Sequence, residues 1–170
     1  KLFVNEKTKN INVANKIAEQ LLKDNFNRSD CIISLGGGVL GDLSAFVSSL
    51  MKRGIKFINI PSTLLAQVDA SIGGKTAVNS DQGKNLIGTF YQPDFVLVDI
   101  SLLNSLPKRE MICGYAEILK HSLILDKKFF LFLLKNGEKI INRKNNILLT
   151  STIIKSCKIK NIIVTKDEKE

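Results

Sequence analysis

Apolar residues in the first third of the chain follow helical and strand-like spacings in turn. They recur every three or four residues over about residues 10–23, which predicts an amphipathic helix. The apolar run Cys31–Leu35 predicts a strand, and a helical pattern covers about residues 41–52. A second run, Ile55–Ile60, predicts a strand that Pro61 ends. This order predicts a parallel βαβ unit, whose ligands gather at the carboxyl ends of its strands.

The second half of the chain changes in character near Leu106 and Pro107. Before that point, Phe95–Asp99 predicts one more buried strand. After it, the pattern predicts only helices, at about residues 108–123, 127–135 and 147–164. We therefore expect an α/β domain over residues 1–106 and an all-α domain over residues 107–170.

A glycine-rich turn joins the first predicted strand to the helix that follows it. Gly36, Gly38 and Gly41 fit the spacing G-x-G-x-x-G, and the helix N-terminus behind them attracts anions. Glycine suits such a turn because it accepts positive φ and has no Cβ to hold a phosphate away. A standard dinucleotide fold has an acidic residue about 20 residues further on, and Phe57–Thr63 contains none. The turn therefore predicts a nucleotide phosphate site that is not a standard Rossmann site, or otherwise an ordinary βα turn.

Lysines and glycines recur in the segment that follows the second predicted strand. Gly74-Lys75-Thr76 ends like a P-loop, but Asp69 stands where that motif requires glycine, so the motif fails. Gly83–Gly88 again places a lysine and an asparagine between glycines. Lysine beside glycine leaves room for a phosphate to approach a positive charge. The alternative is a surface loop.

A carboxylate and the single histidine of the chain are four residues apart on the predicted helix 108–123. Glu117 and His121 share one side of that helix, where such a pair can bind a divalent metal. The alternative is a solvent-facing glutamate beside a partly buried histidine. Because the chain has one histidine, it cannot supply a histidine-rich site.

Composition narrows the class of protein. The 170 residues are 44% hydrophobic, and no apolar run reaches the roughly 18 residues of a membrane span. The net charge of +9 could indicate nucleic-acid binding, but the lysines lie mostly on polar helix faces without interleaved aromatics. The three cysteines are far apart, which predicts reduced thiols. We expect a cytoplasmic protein that binds neither nucleic acid nor membrane, and the two ends suggest a piece of a longer chain.

Several segments in order resemble one known family, the 3-dehydroquinate synthases of the sugar phosphate cyclase superfamily. These segments are Leu35–Asp42, Arg53-Gly54, Pro61–Asp69, Gly73–Thr76, Gly83–Gly88, Leu106–Glu110 and Gly114–Lys120. The resemblance implies an N-terminal parallel-sheet NAD-binding region followed by an all-α metal-binding region. It also implies that a Gly-Glu-x-x-Lys segment of the NAD site precedes Lys1 and that two metal-binding histidines follow Glu170.

The resemblance implies a role for each matching residue. Contacts to NAD are implied for Gly37, Gly38, Val39, Leu40, Gly41, Asp42, Ser62, Thr63, Lys75, Lys84, Leu102, Leu103, Asn104, Ser105 and Glu110. Substrate contact and catalysis are implied for Arg53, Asp69, Lys75, Asn85, Lys120 and Lys160. Glu117 is implied as the carboxylate ligand of Zn²⁺ or Co²⁺, and His121 is not a ligand in the family pattern.

The implied reaction converts 3-deoxy-D-arabino-heptulosonate 7-phosphate to 3-dehydroquinate and phosphate, in the shikimate pathway. NAD takes a hydride, phosphate is eliminated, the hydride returns, and the ring opens and recloses by an aldol step. A homodimer is implied. The alternatives are another sugar phosphate cyclase, a metal-dependent alcohol or glycerol dehydrogenase, a basic binding module, or a fragment without activity.

Overall fold

The computed structural model describes residues 4–166, which form five helices, five strands and four short turns of helix. The α-helices are α1 (Ile11–Lys23), α2 (Gly38–Leu50), α3 (Lys108–Leu125), α4 (Lys127–Ile141) and α5 (Asn146–Lys166). The strands are β1 (Cys31–Gly36), β2 (Lys56–Pro61), β3 (Lys75–Ser80), β4 (Gly83–Phe90) and β5 (Phe95–Val96). Short 3₁₀ turns cover Glu6–Thr8, Met51–Arg53 and Ile100–Ser105, and a π-helical turn covers Ala66–Ala70. The predictions about the residues before Lys1 and after Glu170 lie outside the described residues.

These elements form two compact units. The first contains the chain as far as Pro61 together with Gly74–Leu97, and the second contains Ser62–Gly73 together with the chain from Val98 onward. The segment Ser62–Gly73 therefore packs with the C-terminal helices rather than with the strand that precedes it. The domain division predicted between residues 106 and 107 stays a prediction, since these units are defined by packing.

The first unit contains the predicted parallel βαβ unit. Strand β1 pairs in parallel with β2 in the register Cys31↔Lys56 to Gly36↔Pro61, and α2 is the crossover between them. Apolar side chains of α2, including Leu43, Phe46 and Val47, pack with Ala14 of α1 in the core of this unit. The mixed α/β fold with a parallel sheet is confirmed.

The predicted strand Phe95–Asp99 is wrong in length and in burial. Only Phe95 and Val96 pair with β2, and the Phe95 side chain is exposed. The ladder stops because Asp99 instead accepts a hydrogen bond from the Ser101 backbone N–H at 2.8 Å and begins a 3₁₀ turn.

The lysine- and glycine-rich segment, for which a surface loop was the alternative interpretation, forms an antiparallel hairpin. Strands β3 and β4 pair from Lys75↔Phe90 to Val78↔Ile87. Glycine is required at Gly88, because a Cβ there would lie 2.3 Å from the Thr76 carbonyl oxygen. Sequence spacing missed the hairpin because β4 is exposed along nearly its whole length and shows no alternation of buried and exposed positions.

The second unit is helical and is built on an apolar core. Residues from all three helices and from Ser62–Gly73 contribute to it, among them Leu64, Met111, Leu133 and Leu149. The helices α3 and α5 match their predictions, whereas α4 is six residues longer than predicted and ends at Ile141. It continues through Gly137, which packs against Tyr115 so closely that a Cβ would lie 2.5 Å from the Tyr115 hydroxyl oxygen.

Candidate functional site

The glycine-rich turn joins β1 to α2, and the helix begins at Gly38, three residues earlier than predicted. Its glycines do not have positive φ, so that part of the prediction was wrong; Gly37 has a φ of −77°. Glycine is needed in this turn because there is little room for a side chain. A Cβ on Gly36 would lie 2.7 Å from Leu40 Cδ2, and a Cβ on Gly41 would lie 3.3 Å from the Asn59 amide. Among the described residues no side chain caps α2, so its first backbone N–H groups and its dipole are available to an anion.

A cavity of about 430 Å³ lies in the first unit, between α2 and the hairpin. It brings together three predicted site residues, Asp42, Lys75 and Asn85. The Thr76 hydroxyl donates to the Asp42 carbonyl oxygen at 2.6 Å and fixes the hairpin to the first turns of α2. The cavity combines a carboxylate, a lysine and an amide, so it offers a polar ligand a hydrogen-bond acceptor, a positive charge and an amide group.

Sequence reasoning missed Lys9, which lies behind this cavity. Its side chain is 5% exposed, and its Nζ lies 2.5 Å from Asp42 Oδ2 and 2.6 Å from Asn85 Oδ1. A signal was present, because Glu6 and Lys9 have the Glu-x-x-Lys spacing that was expected before Lys1, with Asn5 in place of the glycine.

Two further predicted residues of the first unit do not line the cavity. Arg53 is exposed and adopts a left-handed φ of 68° in the turn after α2. The side chain of Lys84 is 73% exposed and lies 3.7 Å from Glu6 Oε1. The pKa of Glu6 is lowered, first by a hydrogen bond from Asn79 and then by the charge of Lys84.

In the second unit, five charged or ionisable side chains from three elements converge. Glu117 and His121 lie one turn apart on α3, and Asp69 comes from the π-helical turn. His121 Nε2 lies 3.2 Å from Glu117 Oε1 and 3.9 Å from Asp69 Oδ1. Lys160 Nζ of α5 lies 2.6 Å from Asp69 Oδ1, and Lys120 forms an ion pair with Glu117. The structure thus brings together four predicted residues and adds His121.

Three atoms at the centre of this cluster can ligate a cation. Asp69 Oδ1, Glu117 Oε1 and His121 Nε2 lie within 4.8 Å of one another, and all three are buried without a hydrogen-bond partner among the described residues. The two lysines reach ion-pair distance but not hydrogen-bond geometry. Two carboxylates and an imidazole suit a divalent transition metal such as Zn²⁺, so the residues present fit the metal that the resemblance implies.

The second ring nitrogen of His121 is also within hydrogen-bond distance of a side chain. Its Nδ1 lies 2.8 Å from the buried Ser156 hydroxyl oxygen on α5. Burial lowers the pKa of His121, and the charges of Glu117 and Asp69 oppose that shift only in part. The ring is therefore neutral at neutral pH. A metal-binding histidine commonly has such a partner on its second nitrogen, which fixes the ring orientation.

Comparison with known proteins decides the family. The family profile described as 3-dehydroquinate synthase N-terminal matches residues 1–113, and the one described as 3-dehydroquinate synthase C-terminal matches residues 114–170. The chain belongs to the 3-dehydroquinate synthase family. The 3-dehydroquinate synthase of Pelagibacter ubique is 61% identical over 165 residues, which cover 97% of this chain and 45% of that protein. The chain thus spans about half the length of the curated relatives it matches.

Two solved structures share the fold of this 3-dehydroquinate synthase family member. ValA, a 2-epi-5-epi-valiolone synthase from Streptomyces hygroscopicus subsp. jinggangensis with NAD⁺ and Zn²⁺ bound, has a TM-score of 0.93 and 27% identity, covering 98% of this chain and 47% of that one. A 2-deoxy-scyllo-inosose synthase complexed with carbaglucose-6-phosphate, NAD⁺ and Co²⁺ has a TM-score of 0.71 and 34% identity, covering 74% of this chain and 34% of that one.

The remaining residues predicted from the 3-dehydroquinate synthase pattern lie in the second unit, outside the carboxylate–histidine cluster. They are Ser62, Thr63, Leu102, Leu103, Asn104, Ser105 and Glu110. The Thr63 hydroxyl accepts from the Ala66 backbone N–H at 3.2 Å. The turn that contains Leu103 is clamped by Arg143, whose guanidinium donates to the carbonyl oxygens of Leu103 and Leu106, both at 2.6 Å. None of these seven residues belongs to the group of possible metal ligands, Asp69, Glu117 and His121.

None of the helices in the described part of the chain combines the length and the apolar character needed to cross a lipid bilayer.

Proposed function

We propose that the protein carrying this chain is a 3-dehydroquinate synthase, which converts 3-deoxy-D-arabino-heptulosonate 7-phosphate to 3-dehydroquinate and phosphate. The observation that carries the proposal is the cluster of Asp69, Glu117 and His121, whose ligand atoms are buried and have Lys120 and Lys160 beside them. A redox step on a phosphorylated sugar acid needs a site for a metal, a site for a nicotinamide cofactor and a complement to the substrate's negative charge. Residues suited to each task are present in the chain.

The uncapped N-terminus of α2 is suited to the cofactor. Backbone N–H groups of the first turn and the positive end of the helix dipole favour a pyrophosphate. Residues Gly37–Asp42 would bind NAD there, and Lys84 of the same unit is a further NAD contact that the family pattern implies. Asp42 lines the neighbouring cavity and would accept a hydrogen bond from a cofactor hydroxyl.

The cluster on α3 is suited to a divalent metal, Zn²⁺ or Co²⁺. Glu117 would be a ligand, as in the family pattern, while Asp69 and His121 present further ligand atoms toward the same point. When bound, the metal would act as a Lewis acid on the substrate hydroxyl that is oxidised. The chain's own part is to hold these donors in place, through Ser156 on the imidazole and through the π-helical turn that carries Asp69.

The charged side chains favour a dianionic sugar phosphate as substrate. Lys120 and Lys160 adjoin the metal-binding atoms, and Lys75 and Asn85 line the cavity of the first unit. Each lysine offers a mobile point charge to phosphate or carboxylate oxygens. The related 2-deoxy-scyllo-inosose synthase was solved with carbaglucose-6-phosphate, a sugar phosphate analogue. We extend the proposal to a cytoplasmic homodimer that binds neither nucleic acid nor membrane, in the shikimate pathway of aromatic amino acid biosynthesis.

A coupled assay tests the proposal on the protein expressed from its complete open reading frame. With NAD⁺, Zn²⁺ and 3-deoxy-D-arabino-heptulosonate 7-phosphate, we expect phosphate release without net accumulation of NADH, because the hydride returns to the product. Removal of metal by a chelator should abolish the release, and added Zn²⁺ or Co²⁺ should restore it. Net NADH formation on simple alcohols without phosphate release would instead identify a dehydrogenase, and no turnover of either kind would contradict both assignments.

A further inference from the structure

Gln67 has a polar side chain that is completely buried in the second unit. It lies in the π-helical turn Ala66–Ala70, two residues before Asp69, and its residue exposure is 0%. Burying an amide is costly unless it forms hydrogen bonds. Here Gln67 Nε2 donates to the backbone carbonyl oxygen of Asp99 at 3.0 Å. The side chain thus ties the turn that carries Asp69 to a segment 32 residues further along the chain.

The backbone of Gln67 is also bonded to a second element. In a π-helical pattern its carbonyl oxygen would accept from the N–H five residues later. That N–H belongs to Ile72 and bonds instead to the Asp69 carbonyl oxygen at 3.0 Å. The Gln67 carbonyl oxygen accepts from the thiol of Cys157 on α5 at 3.4 Å. Gln67 is therefore held from two sides, by its side chain and by its backbone.

These two contacts bear on the position of the Asp69 carboxylate. Val68, which lies between Gln67 and Asp69, is 0% exposed and packs in the core of the second unit. Asp69 Oδ1 lies 2.6 Å from Lys160 Nζ and 3.9 Å from His121 Nε2. A shift of the turn by about an ångström would take the first of these distances beyond hydrogen-bond range. The arrangement of charged groups around Asp69 therefore depends on how firmly the turn is held.

We propose that Gln67 is a positioning residue, which acts through the π-helical turn to hold the Asp69 carboxylate beside Glu117 and His121. π-helical turns are rare and occur frequently at functional sites. Residues that orient the groups around a metal contribute to its affinity although they do not touch it. This inference rests on the proposed function, and it assigns a role to a residue for which the family resemblance implied none.

The test compares Gln67→Met with Leu133→Ala in the protein expressed from its complete open reading frame. Methionine fills a buried site of similar length but cannot donate to the Asp99 carbonyl oxygen. Leu133→Ala removes buried volume from α4, so it lowers stability while both hydrogen bonds of Gln67 remain. We expect Gln67→Met to raise the Kd for Co²⁺, measured by calorimetry on metal-free protein, by roughly tenfold or more.

Leu133→Ala should bind Co²⁺ as tightly as the parent protein. A Kd for Gln67→Met equal to that of the parent would overturn the inference. It would also be overturned by an equal rise in Leu133→Ala, because the effect would then follow from lost stability alone.

A double-mutant cycle tests whether Gln67 acts through Asp69. If it does, adding Gln67→Met to Asp69→Asn should raise the Kd for Co²⁺ no further than Asp69→Asn does by itself. Additive effects would overturn the inference. The parent protein supplies the reference: no Co²⁺ binding and no phosphate release would refute the proposed function and this inference with it. An active parent that binds Co²⁺, with an unaffected Gln67→Met, refutes the inference only.

If Gln67→Met does not fold, a pair of variants at Cys157 decides. Serine keeps a donor for the Gln67 carbonyl oxygen, whereas alanine removes it. We expect Cys157→Ala to raise the Kd for Co²⁺ about twofold or more, and Cys157→Ser to stay closer to the parent. Equal Kd values for Cys157→Ala and the parent would show that the contacts of Gln67 do not hold Asp69, and would overturn the inference.

Discussion

Gly114→Ala on α3 is expected to destabilise the protein, although alanine is the better helix former. A Cβ at Gly114 would lie 2.6 Å from the Cβ and Cγ of Leu64 and 2.6 Å from the backbone nitrogen of Leu65, where ordinary contacts are 3.4–4 Å. The Leu64 side chain could rotate, but a backbone nitrogen cannot. Relief therefore requires α3 and the segment around Leu64 to move apart by close to an ångström.

The magnitude follows from two opposing terms. Replacing glycine by alanine inside a helix gains about 1 kcal/mol, whereas overpacking costs about 1–3 kcal/mol. Because the clash is with backbone, the upper end applies at Gly114, and we expect a net loss of about 2 kcal/mol in the free energy of unfolding. The segment also leads directly into the turn Ala66–Ala70, so Asp69 should move away from His121 and Lys160.

Urea denaturation measures the first effect and Zn²⁺ titration calorimetry the second. Cys113→Ala is the matched control, since Cys113 is the exposed neighbour on the same helix and should change stability little. A Gly114→Ala protein at least as stable as the parent, with unchanged Zn²⁺ affinity, would refute the packing argument. Helix propensity would then outweigh the contact with Leu65.

Three further predictions concern single side chains. Burial raises the pKa of Cys157 to about 11, so at pH 8 roughly one thiol in a thousand is a thiolate; mass spectrometry after iodoacetamide treatment should find Cys113 modified well before Cys157, and equal rates would contradict this. Because the pKa of His121 is lowered in the folded state, the unfolded chain takes up the proton first; stability should fall as the pH drops below about 6.5 and stay level above it, while His121→Gln should remove that slope in urea midpoints. Lys120→Ala should weaken substrate binding in the complete enzyme by about 1.5–3 kcal/mol through the loss of one charge-assisted contact, and wild-type affinity would contradict it.

The sequence determined the local elements of this protein. The parallel unit of β1, α2 and β2 follows from apolar spacing, and the approach of Glu117 to His121 follows from a separation of four residues on one helix. The family pattern predicted Asp69, Lys120 and Lys160 as site residues, and in the structure all three lie beside Glu117 or His121 or beside each other.

Only the tertiary structure decided the contacts between distant segments. Lys9 meets Asp42 and Asn85 across separations of 33 and 76 residues, and β4 forms a strand without any alternating pattern of its own. Gly36 and Gly41 of the glycine-rich turn are needed for close packing rather than for positive φ, and only the positions of Leu40 and Asn59 show this. Spacing along a chain determines which residues of a single helix or strand share a face. The contacts described here depend instead on how several elements pack together.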